Sequence, residues 1–278
     1  MTMALHRTFA LLALLLAGCS QGRLDVVGLA PNSLGDGMVA HWPCDEGSGA
    51  TLGDVPRHRF DGTILGTTWL LDSGHPGFGD ALHFNSGNSV IVETAFEQAT
   101  VDWSVSLWVR PGAWASSPPA SGSDSEPDTN VTLISTEVTG QGGWEMNIRF
   151  PGSGQDTKGW RYNFAYPNPA DAGPWWFYQW AEADVVDVDV WTHLVAVVDS
   201  AAKKILFYKN GGLSQNTEQV SPITSTIRAG SEALYLGRWS GVGRYFVGDL
   251  DDIVVYERAL TADEVALLYK QPAPTVLR

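Results

Sequence analysis

Short segments in which apolar and polar residues alternate recur through most of this chain, separated by Gly, Pro, Asn, Asp and Ser. Val, Ile, Tyr and Trp are frequent at the apolar positions, as in strands that bury one face. This spacing of strands and turns predicts an antiparallel sandwich or barrel. The clearest segments are MVAHW (38–42), ALHF (81–84), SVSLWVR (104–110), GWEMNIRF (143–150), GWRYNFAY (159–166), HLVAVVD (193–199) and DDIVVYER (251–258).

Two local motifs add detail to this all-β prediction. Asn210 and Gly211 follow a strand-like segment and predict a type I′ hairpin turn, because both residues tolerate positive φ. Thr261 and Glu264 have the spacing of a capping box, in which each side chain bonds the backbone N–H of the other residue. We therefore expect one short C-terminal helix over ADEVALLYK.

The N-terminal residues have the pattern of a bacterial lipoprotein signal. Arg7 precedes an apolar run that is too short to span a membrane and that ends in Leu-Ala-Gly-Cys. We expect cleavage after residue 18 and acylation of Cys19, with palmitate among the acyl chains, which gives a stable anchor. Ser20 favours the outer membrane over the inner one, and residues 19–36 are predicted to be a tether. The alternative is an ordinary secretory signal with a chance cysteine.

Charge and cysteine content restrict the classes of partner and of fold. The formal net charge of −14 argues against binding to nucleic acid and against peripheral binding to anionic lipid. With Cys19 acylated, Cys44 has no disulfide partner, and its apolar neighbours predict a buried, inert thiol. The 12 Trp residues are many for one chain, and Trp accumulates in exported carbohydrate-binding proteins.

The stretch PWWFYQWAEADVVDVDVW, residues 174–191, combines aromatic rings with carboxylates. It overlaps the second of two segments, 112–130 and 168–188, that interrupt the strand pattern and predict exposed loops. Sugar rings stack on Trp, their hydroxyl groups bond to carboxylates, and exposed apolar patches mark binding sites. The alternative is that some of these rings cap the open end of the core. The predicted glycan contacts are Trp175, Trp176, Tyr178, Trp180, Glu182 and Asp184.

Other aromatic and titratable residues are predicted to have structural roles. One set alternates along a strand and is assigned to its core face: Trp160, Tyr162, Phe164 and Tyr166. Three further core assignments are Trp69, Trp103 and Trp108. His193 is expected to be a strand residue satisfied by a hydrogen bond. Asp45 and Glu46 are expected to bond nearby amides in a turn.

Five segments in order resemble the laminin-G-like, concanavalin-A-like lectin/glucanase domains of bacterial exported proteins. They are GMVAHWPCDEGSGATLGDVPRHRFDGTI, ALHFNSGNSVIV, WSVSLWVRPG, WTHLVAVVDSAAKKILFYKNGGL and FVGDLDDIVVYERALTADEV. The resemblance implies a two-sheet antiparallel jelly-roll sandwich with one short C-terminal helix. It predicts a domain over 37–270, after the 1–18 signal and the 19–36 tether, with a tail at 271–278.

The same resemblance implies a structural calcium ion near one end of the sandwich. The family's ligands fall on Asp54 and Asp251, with Asp252 adjacent, and calcium prefers such carboxylate and carbonyl oxygens. Arg57 and Arg59 beside this loop oppose a cation. The alternative is therefore that one of these arginines pairs with Asp251 in place of the ion.

Laminarinase-type glucanases share this architecture and use an E-x-D-x-x-E strand, in which the carboxyl groups act as nucleophile and acid/base. Glu182, Asp184 and Asp187 reproduce that spacing with a shorter final residue, which would misplace the proton donor. Acidic residues alternating with Val, here Asp184, Asp187 and Asp189, are more simply the solvated face of an edge strand. The sequence therefore predicts a lipid-anchored, non-catalytic glycan-binding domain. The alternatives are a protein-interaction or adhesion domain and a laminarinase-like glycoside hydrolase.

Overall fold

A computed structural model describes residues 33–55, 57–72, 74–94, 101–112, 130–137, 143–149, 159–167, 174–181, 186–218, 233–241 and 243–275. For residues 130, 149, 159–167, 174–181 and 216–218 it describes the backbone. The strands of this part are β1 Met38–Trp42, β2 Thr51–Leu52, β3 Gly62–Leu65, β4 Thr68–Leu70, β5 Ala81–Phe84, β6 Ser89–Val92, β7 Trp103–Pro111, β8 Asn130–Ser135, β9 Gly143–Arg149, β10 Gly159–Pro167, β11 Pro174–Ala181, β12 Thr192–Asp199, β13 Lys204–Lys209, β14 Gly212–Glu218, β15 Leu234–Leu236 and β16 Gly248–Tyr256. Helix α1 is Ala262–Leu268, and a 3-10 turn is Ser33–Gly35.

The strands form two antiparallel sheets, as the alternating pattern predicted. Sheet A has the order β14-β13-β12-β7-β16-β5-β4, and β1 also pairs with β16. Sheet B has the order β11-β10-β9-β8-β15-β6-β3-β2. Half of the strand pairs, among them β7–β16 in sheet A and β8–β15 in sheet B, join strands that are distant in sequence, which is typical of jelly-roll connections. The predicted two-sheet sandwich is confirmed.

The main core lies between the sheets because alternate residues of each strand belong to one face. In β7 the buried apolar side chains of this core come from Trp103, Val105, Leu107 and Val109. Trp103 and Trp144 meet edge to face, with ring centroids 5.8 Å apart. Burial of each such large side chain contributes about 1.5–3 kcal/mol. This core fixes which residues of each strand are left for the outer faces.

Helix α1 covers part of the outer face of sheet A. Val265 and Leu268 of the helix pack with apolar side chains of β12 and β16 in a second cluster. The predicted capping box is present: the Thr261 hydroxyl accepts from the Glu264 N–H, and the Glu264 carboxylate accepts from the Thr261 N–H. Local sequence alone therefore located this helix correctly.

The hairpin prediction is also confirmed, whereas one edge-strand prediction is wrong. Asn210 and Gly211 have φ of 50° and 77° and join β13 to β14. Asp187 and Asp189 are exposed, but they lie in the turn before β12 and not on an edge strand. Asp189 has a φ of 60°, a left-handed conformation that Asp tolerates in turns. Asp184 lies outside the described residues.

Candidate functional site

The aromatic stretch that the sequence assigned to a loop forms a strand at one edge of sheet B. β11 pairs with β10 along its whole length, from Pro174 opposite Pro167 to Ala181 opposite Trp160. The loop prediction for 168–188 is therefore wrong over residues 174–181. Aromatic residues suit a strand because they fit its pleated surface. Here the pairing with β10, and not an alternating local pattern, determines the strand.

The pairing register divides the residues of β11 between the two faces of sheet B, because successive strand residues belong to opposite faces. Trp175 pairs with Tyr166, in the same alternate set as Phe164 and Tyr162. The β9 members of that set are the core residues Trp144, Met146 and Ile148. The opposite set, which belongs to the outer face, contains Trp176, Tyr178 and Trp180. Three of the four predicted aromatic contacts therefore share one face.

The outer face of sheet B continues from β11 through β10 and β9 to β8 in two register rows. One row joins Trp180, Arg161, Asn147 and Thr132. The next row joins Tyr178, Asn163, Glu145 and Ser135. The β8 and β9 members of both rows are buried polar residues. Each row therefore leads from an aromatic position on the edge strand to buried hydrogen-bonding groups on the central strands.

Glu145 is the charged centre of this polar face. Its side chain is 1% exposed and its carboxylate lies 3.4 Å from Arg244 Nη1. Thr132 Oγ1 donates to the other oxygen, also at 3.4 Å. The Thr132 N–H donates to the Arg244 carbonyl at 2.9 Å, so backbone and side chain together hold the arginine beside β8. A buried carboxylate needs such partners, because an uncompensated buried charge is strongly destabilising.

A second carboxylate is linked to the first through an aromatic ring. The Arg244 guanidinium lies 4.9 Å from the ring centroid of Trp239, and Trp239 Nε1 donates to Glu137 Oε2 at 2.7 Å. Ser240 Oγ donates to the Glu137 carbonyl. We call the following residues the polar cluster: Thr132, Glu137, Glu145, Asn147, Trp239 and Arg244. Carboxylate, amide, guanidinium and indole groups lie side by side in this largely buried cluster, and these groups can hydrogen-bond the hydroxyl groups of a ligand.

Asn147 has an amide without a hydrogen-bond partner in the described part of the chain. The residue is 0% exposed, yet among the described residues neither Oδ1 nor Nδ2 meets a hydrogen-bonding group. A buried polar group left in this state costs about 1–3 kcal/mol. Such an orphaned amide, with one acceptor and two donors, is suited to a ligand hydroxyl group or to an ordered water.

The sequence did not reveal the polar cluster. Glu145 and Asn147 alternate with the core residues of β9, a pattern that normally indicates an ordinary solvated face. Arg244 is separated from Glu145 by 99 positions, and no local motif joins them. The only available signal was the polar alternation in GWEMNIRF. Two other predicted contacts, Glu182 and Asp184, lie outside the described residues, as does Cys19.

The predicted calcium ligands each have other partners. Asp54 Oδ1 accepts from the His41 N–H, and its Oδ2 accepts from the N–H groups of Arg59 and Phe60. The two oxygens of Asp251 accept from the N–H groups of Asp252 and His75. Asp252 contacts His41 Nε2 at 2.6 Å and accepts from the Ala273 N–H. Among the described residues no three His, Cys, Asp or Glu side chains converge as metal ligands. This arrangement of the three aspartates does not fit one shared calcium ion.

The arginine alternative at Asp251 is wrong. Within the described part of the chain no ion pair joins Arg57 or Arg59 to Asp251, and the Arg59 guanidinium lies 4.8 Å from the Phe60 ring centroid. Burial, and then the neighbouring Asp252, raise the pKa of Asp251 to about 8. Asp251 is thus a buried carboxyl group without a cationic side chain beside it among these residues.

Several structural assignments from the sequence are confirmed. Cys44 is buried, and burial raises the pKa of its thiol well above the ordinary value. Asp45 accepts from the Asp80 N–H and Glu46 from the Gly53 N–H. His193 is a buried β12 residue whose Nε2 lies 2.9 Å from Ser106 Oγ.

The tryptophan assignments have a mixed outcome. Trp103 is in the main core, and Trp69 is partly buried against it. Trp108 is buried as predicted, but it lies on the outer face of sheet A, stacked on His75 at 3.6 Å, and not between the two sheets.

No helix in the described part of the chain combines the length and apolar character needed to cross a membrane.

Comparison with known families agrees with this architecture. The sequence profile of the concanavalin A-like lectin/glucanases superfamily matches residues 84–266, well over half of the chain. The chain therefore belongs to this superfamily. No curated protein sequence matches it.

Solved structures with the same fold are distant in sequence. One is domain 4 of AbnA, an extracellular GH43 arabinanase from Geobacillus stearothermophilus, in complex with arabinotriose. The match has 18% identity and a TM-score of 0.55, and it covers 84% of this chain and 98% of that one. The botulinum neurotoxin serotype G binding domain matches at 15% identity and a TM-score of 0.53, over 84% of this chain and 50% of that one.

A third structure is the binding domain of botulinum neurotoxin DC in complex with rat synaptotagmin II. It matches at 15% identity and a TM-score of 0.52, over 86% of this chain and 52% of that one. The chain spans about half the length of the neurotoxin domains that it matches. At these identities the likeness concerns the fold.

Proposed function

We propose that this protein is a lipid-anchored, non-catalytic glycan-binding protein whose binding surface is the outer face of sheet B. One observation carries the proposal: the register places Trp176, Tyr178 and Trp180 in line with the buried polar groups of β9 and β8. Aromatic positions beside amide and carboxylate groups match the two surfaces of a sugar ring, its C–H face and its hydroxyl groups. Glu182 and Asp184, which follow β11, are proposed as further hydroxyl acceptors.

The architecture is compatible with this proposal. The arabinanase domain with a similar fold was solved with arabinotriose, and the neurotoxin binding domain with synaptotagmin, so domains of this shape serve glycan and protein partners. The orphaned amide of Asn147 favours a glycan, since a protein partner would anchor single large side chains in apolar pockets. A neutral or weakly charged glycan suits a chain of net charge −14.

A glycan array tests the proposal with the chain made without Cys19. Retention of a defined sugar class is expected, and W176A/W180A should weaken it at least about tenfold, since each stacked ring contributes about 0.5–1.5 kcal/mol. The matched control is L213A, which removes an apolar side chain 53% exposed on β14 of the other sheet. If no glycan on the array is bound, the protein-interaction alternative is favoured. Equal loss in the control would exclude β11 as the site.

Catalysis is tested on any glycan that the array identifies. We expect no release of reducing ends from the intact glycan during prolonged incubation. Hydrolysis that disappears in E182Q or D187N would establish the glycosidase alternative.

The calcium expectation and the lipid anchor are tested separately. The array is repeated in EDTA: binding and thermal unfolding unaffected by EDTA are expected from the engaged carboxylates, whereas a loss would restore calcium at Asp54 and Asp251. C19S should release the full chain from the outer-membrane fraction. If C19S remains in the membrane fraction, the prediction of a lipid anchor at Cys19 is wrong.

A further inference from the structure

A row of polar side chains crosses the outer face of sheet A, on the opposite side of the sandwich from the polar cluster. Asp249 of β16 is paired in register with Arg110 of β7 and with His83 of β5. Trp191, immediately before β12, extends the row beyond Arg110. We call these residues the sheet A row: His83, Asp249, Arg110 and Trp191. Their strand neighbours Leu82, Val109 and Leu250 are in the core, so the row belongs to the outer face.

Asp249 holds the row in a fixed arrangement. Arg110 Nε donates to Asp249 Oδ2 at 2.7 Å, and His83 Nδ1 lies 2.7 Å from Asp249 Oδ1. The carboxylate is 7% exposed and both of its oxygens are used by these contacts. The Arg110 guanidinium also lies 5.0 Å from the ring centroid of Trp191. The guanidinium is therefore positioned by a carboxylate and an aromatic ring before any ligand arrives.

The groups that remain free in this row are nearly all hydrogen-bond donors. Among the described residues neither terminal nitrogen of Arg110 has an acceptor, although its side chain is only 31% exposed. Trp191 Nε1 is buried and meets no acceptor among the described residues. Two positions before Arg110 on β7, Trp108 Nε1 is likewise buried without an acceptor in the described part of the chain, in a residue 1% exposed. An indole N–H and a guanidinium can only donate, so a ligand at this surface must supply hydrogen-bond acceptors.

We propose that the sheet A row binds a small oxyanion, namely a carboxylate, phosphate or sulfate group. The two terminal nitrogens of Arg110 match the spacing of two oxygens of such a group, and the Trp191 N–H supplies a third donor. His83 is 33% exposed and its Nδ1 contacts Asp249, so its Nε2 adds a donor only in the protonated ring, and the site depends on Arg110 and Trp191. A metal cation is not suited to this row, because both Asp249 oxygens are occupied.

The charge of the chain limits how strong this binding is. The net charge of −14 repels anions, and the exposed Asp187 and Asp189 precede Trp191 closely in sequence. Salt screens this long-range repulsion more than it weakens half-buried donors. The site therefore depends on the fixed geometry of Arg110 and Trp191, and a general positive field does not assist it.

The test uses ¹H–¹⁵N spectra of the folded chain, with the indole N–H of Trp191 assigned from W191F. Inorganic phosphate, sulfate and glucuronate are added separately at constant ionic strength, with chloride as the reference. A saturable shift of the Trp191 indole signal is expected. Tighter binding of glucuronate would identify an acidic sugar as the source of the oxyanion, and tighter binding of phosphate or sulfate a free ion. The absence of saturation with all three would overturn the proposal.

Variants separate the site from a general charge effect. R110Q should weaken oxyanion binding at least about tenfold. R110K keeps the positive charge but loses the two parallel N–H donors of the guanidinium, so it should weaken binding too. The matched control is R59Q, which removes an equal charge from an exposed guanidinium that also lies over a ring, that of Phe60. Circular dichroism checks the fold of each variant. If R110Q unfolds, W191F decides, because it keeps an aromatic ring and removes one donor; binding to that variant is followed by the Arg110 Nε–H signal. Unchanged affinity in the folded Arg110 and Trp191 variants, or equal loss in R59Q, would refute the site.

Discussion

Asp251 and Asp252 are adjacent acidic residues of β16, and the N–H of Asp252 donates to the Asp251 carboxylate at 2.7 Å. Asp252 has a φ of 41°, where the register of β16 against β7 is irregular. This irregularity brings two carboxyl groups to the same buried region. It gives Asp251 an environment that favours its neutral form.

The first prediction concerns the pH dependence of folding stability. Burial and Asp252 raise the pKa of Asp251 from 3.8 to about 8, so the folded state binds a proton that the unfolded state has released. Stability should therefore fall as the pH rises between about 4 and 8, with a limiting slope of about 1.4 kcal/mol per pH unit. Urea unfolding between pH 7 and 8 should show a smaller slope in D251N. D187N, at an exposed turn position, is the control, and an unchanged slope in D251N would contradict the assignment.

His193 should produce the opposite dependence in acid. Burial, with a smaller effect of His75, lowers the pKa of His193 from 6.5 to about 3. The unfolded chain gains a proton there before the folded chain does, so stability is lost as the pH falls from about 6.5 towards 3. The ring signals of His193, assigned by comparison with H193Q, should show no titration between about pH 5 and 8. A midpoint near 6.5 would mean that the ring is accessible to water.

Local patterns predicted the elements that depend on neighbours in sequence. MVAHW matches β1 and ALHF matches β5, because a short apolar run bounded by turn residues indicates a strand without reference to distant residues. The Thr261 cap was found for the same reason, since its partner is three residues away. β11 was missed because its run of aromatic residues does not alternate with polar ones. Its conformation comes from pairing with β10.

The candidate site could not be assembled from the sequence for a related reason. Glu145 and Arg244 come together only when β15 and the segment after it pack beside β8 and β9. The sequence did give the aromatic residues of β11, but not their division between two faces. The burial of Glu145 and Asn147 could not be predicted either, because polar residues that alternate with core residues along a strand normally face water.

The reactivity of Cys44 is a third prediction. The thiol is buried, and its pKa is raised well above 9.0 by burial and by nearby acidic residues, so the reactive thiolate is scarce. In a C19S background, DTNB should fail to label the folded protein over hours and should label one thiol on unfolding in urea. C44S in the same background gives the blank. Rapid labelling of the folded chain would show that the structure around Cys44 opens.

The last prediction separates steric crowding from backbone strain at two glycines. Gly143 and Gly49 have similar φ values, 101° and 94°, so alanine should be strained at both. A Cβ at Gly143 would collide with the Thr136 carbonyl and the Glu137 Cα, whereas one at Gly49 would meet nothing within 4 Å. We expect G49A to cost about 1–2 kcal/mol and G143A at least about 2 kcal/mol more, measured by urea unfolding. Because Glu137 belongs to the polar cluster, G143A should also weaken glycan retention while G49A leaves it intact. Equal destabilisation by the two variants would mean that β8 and β9 can separate at this point without cost.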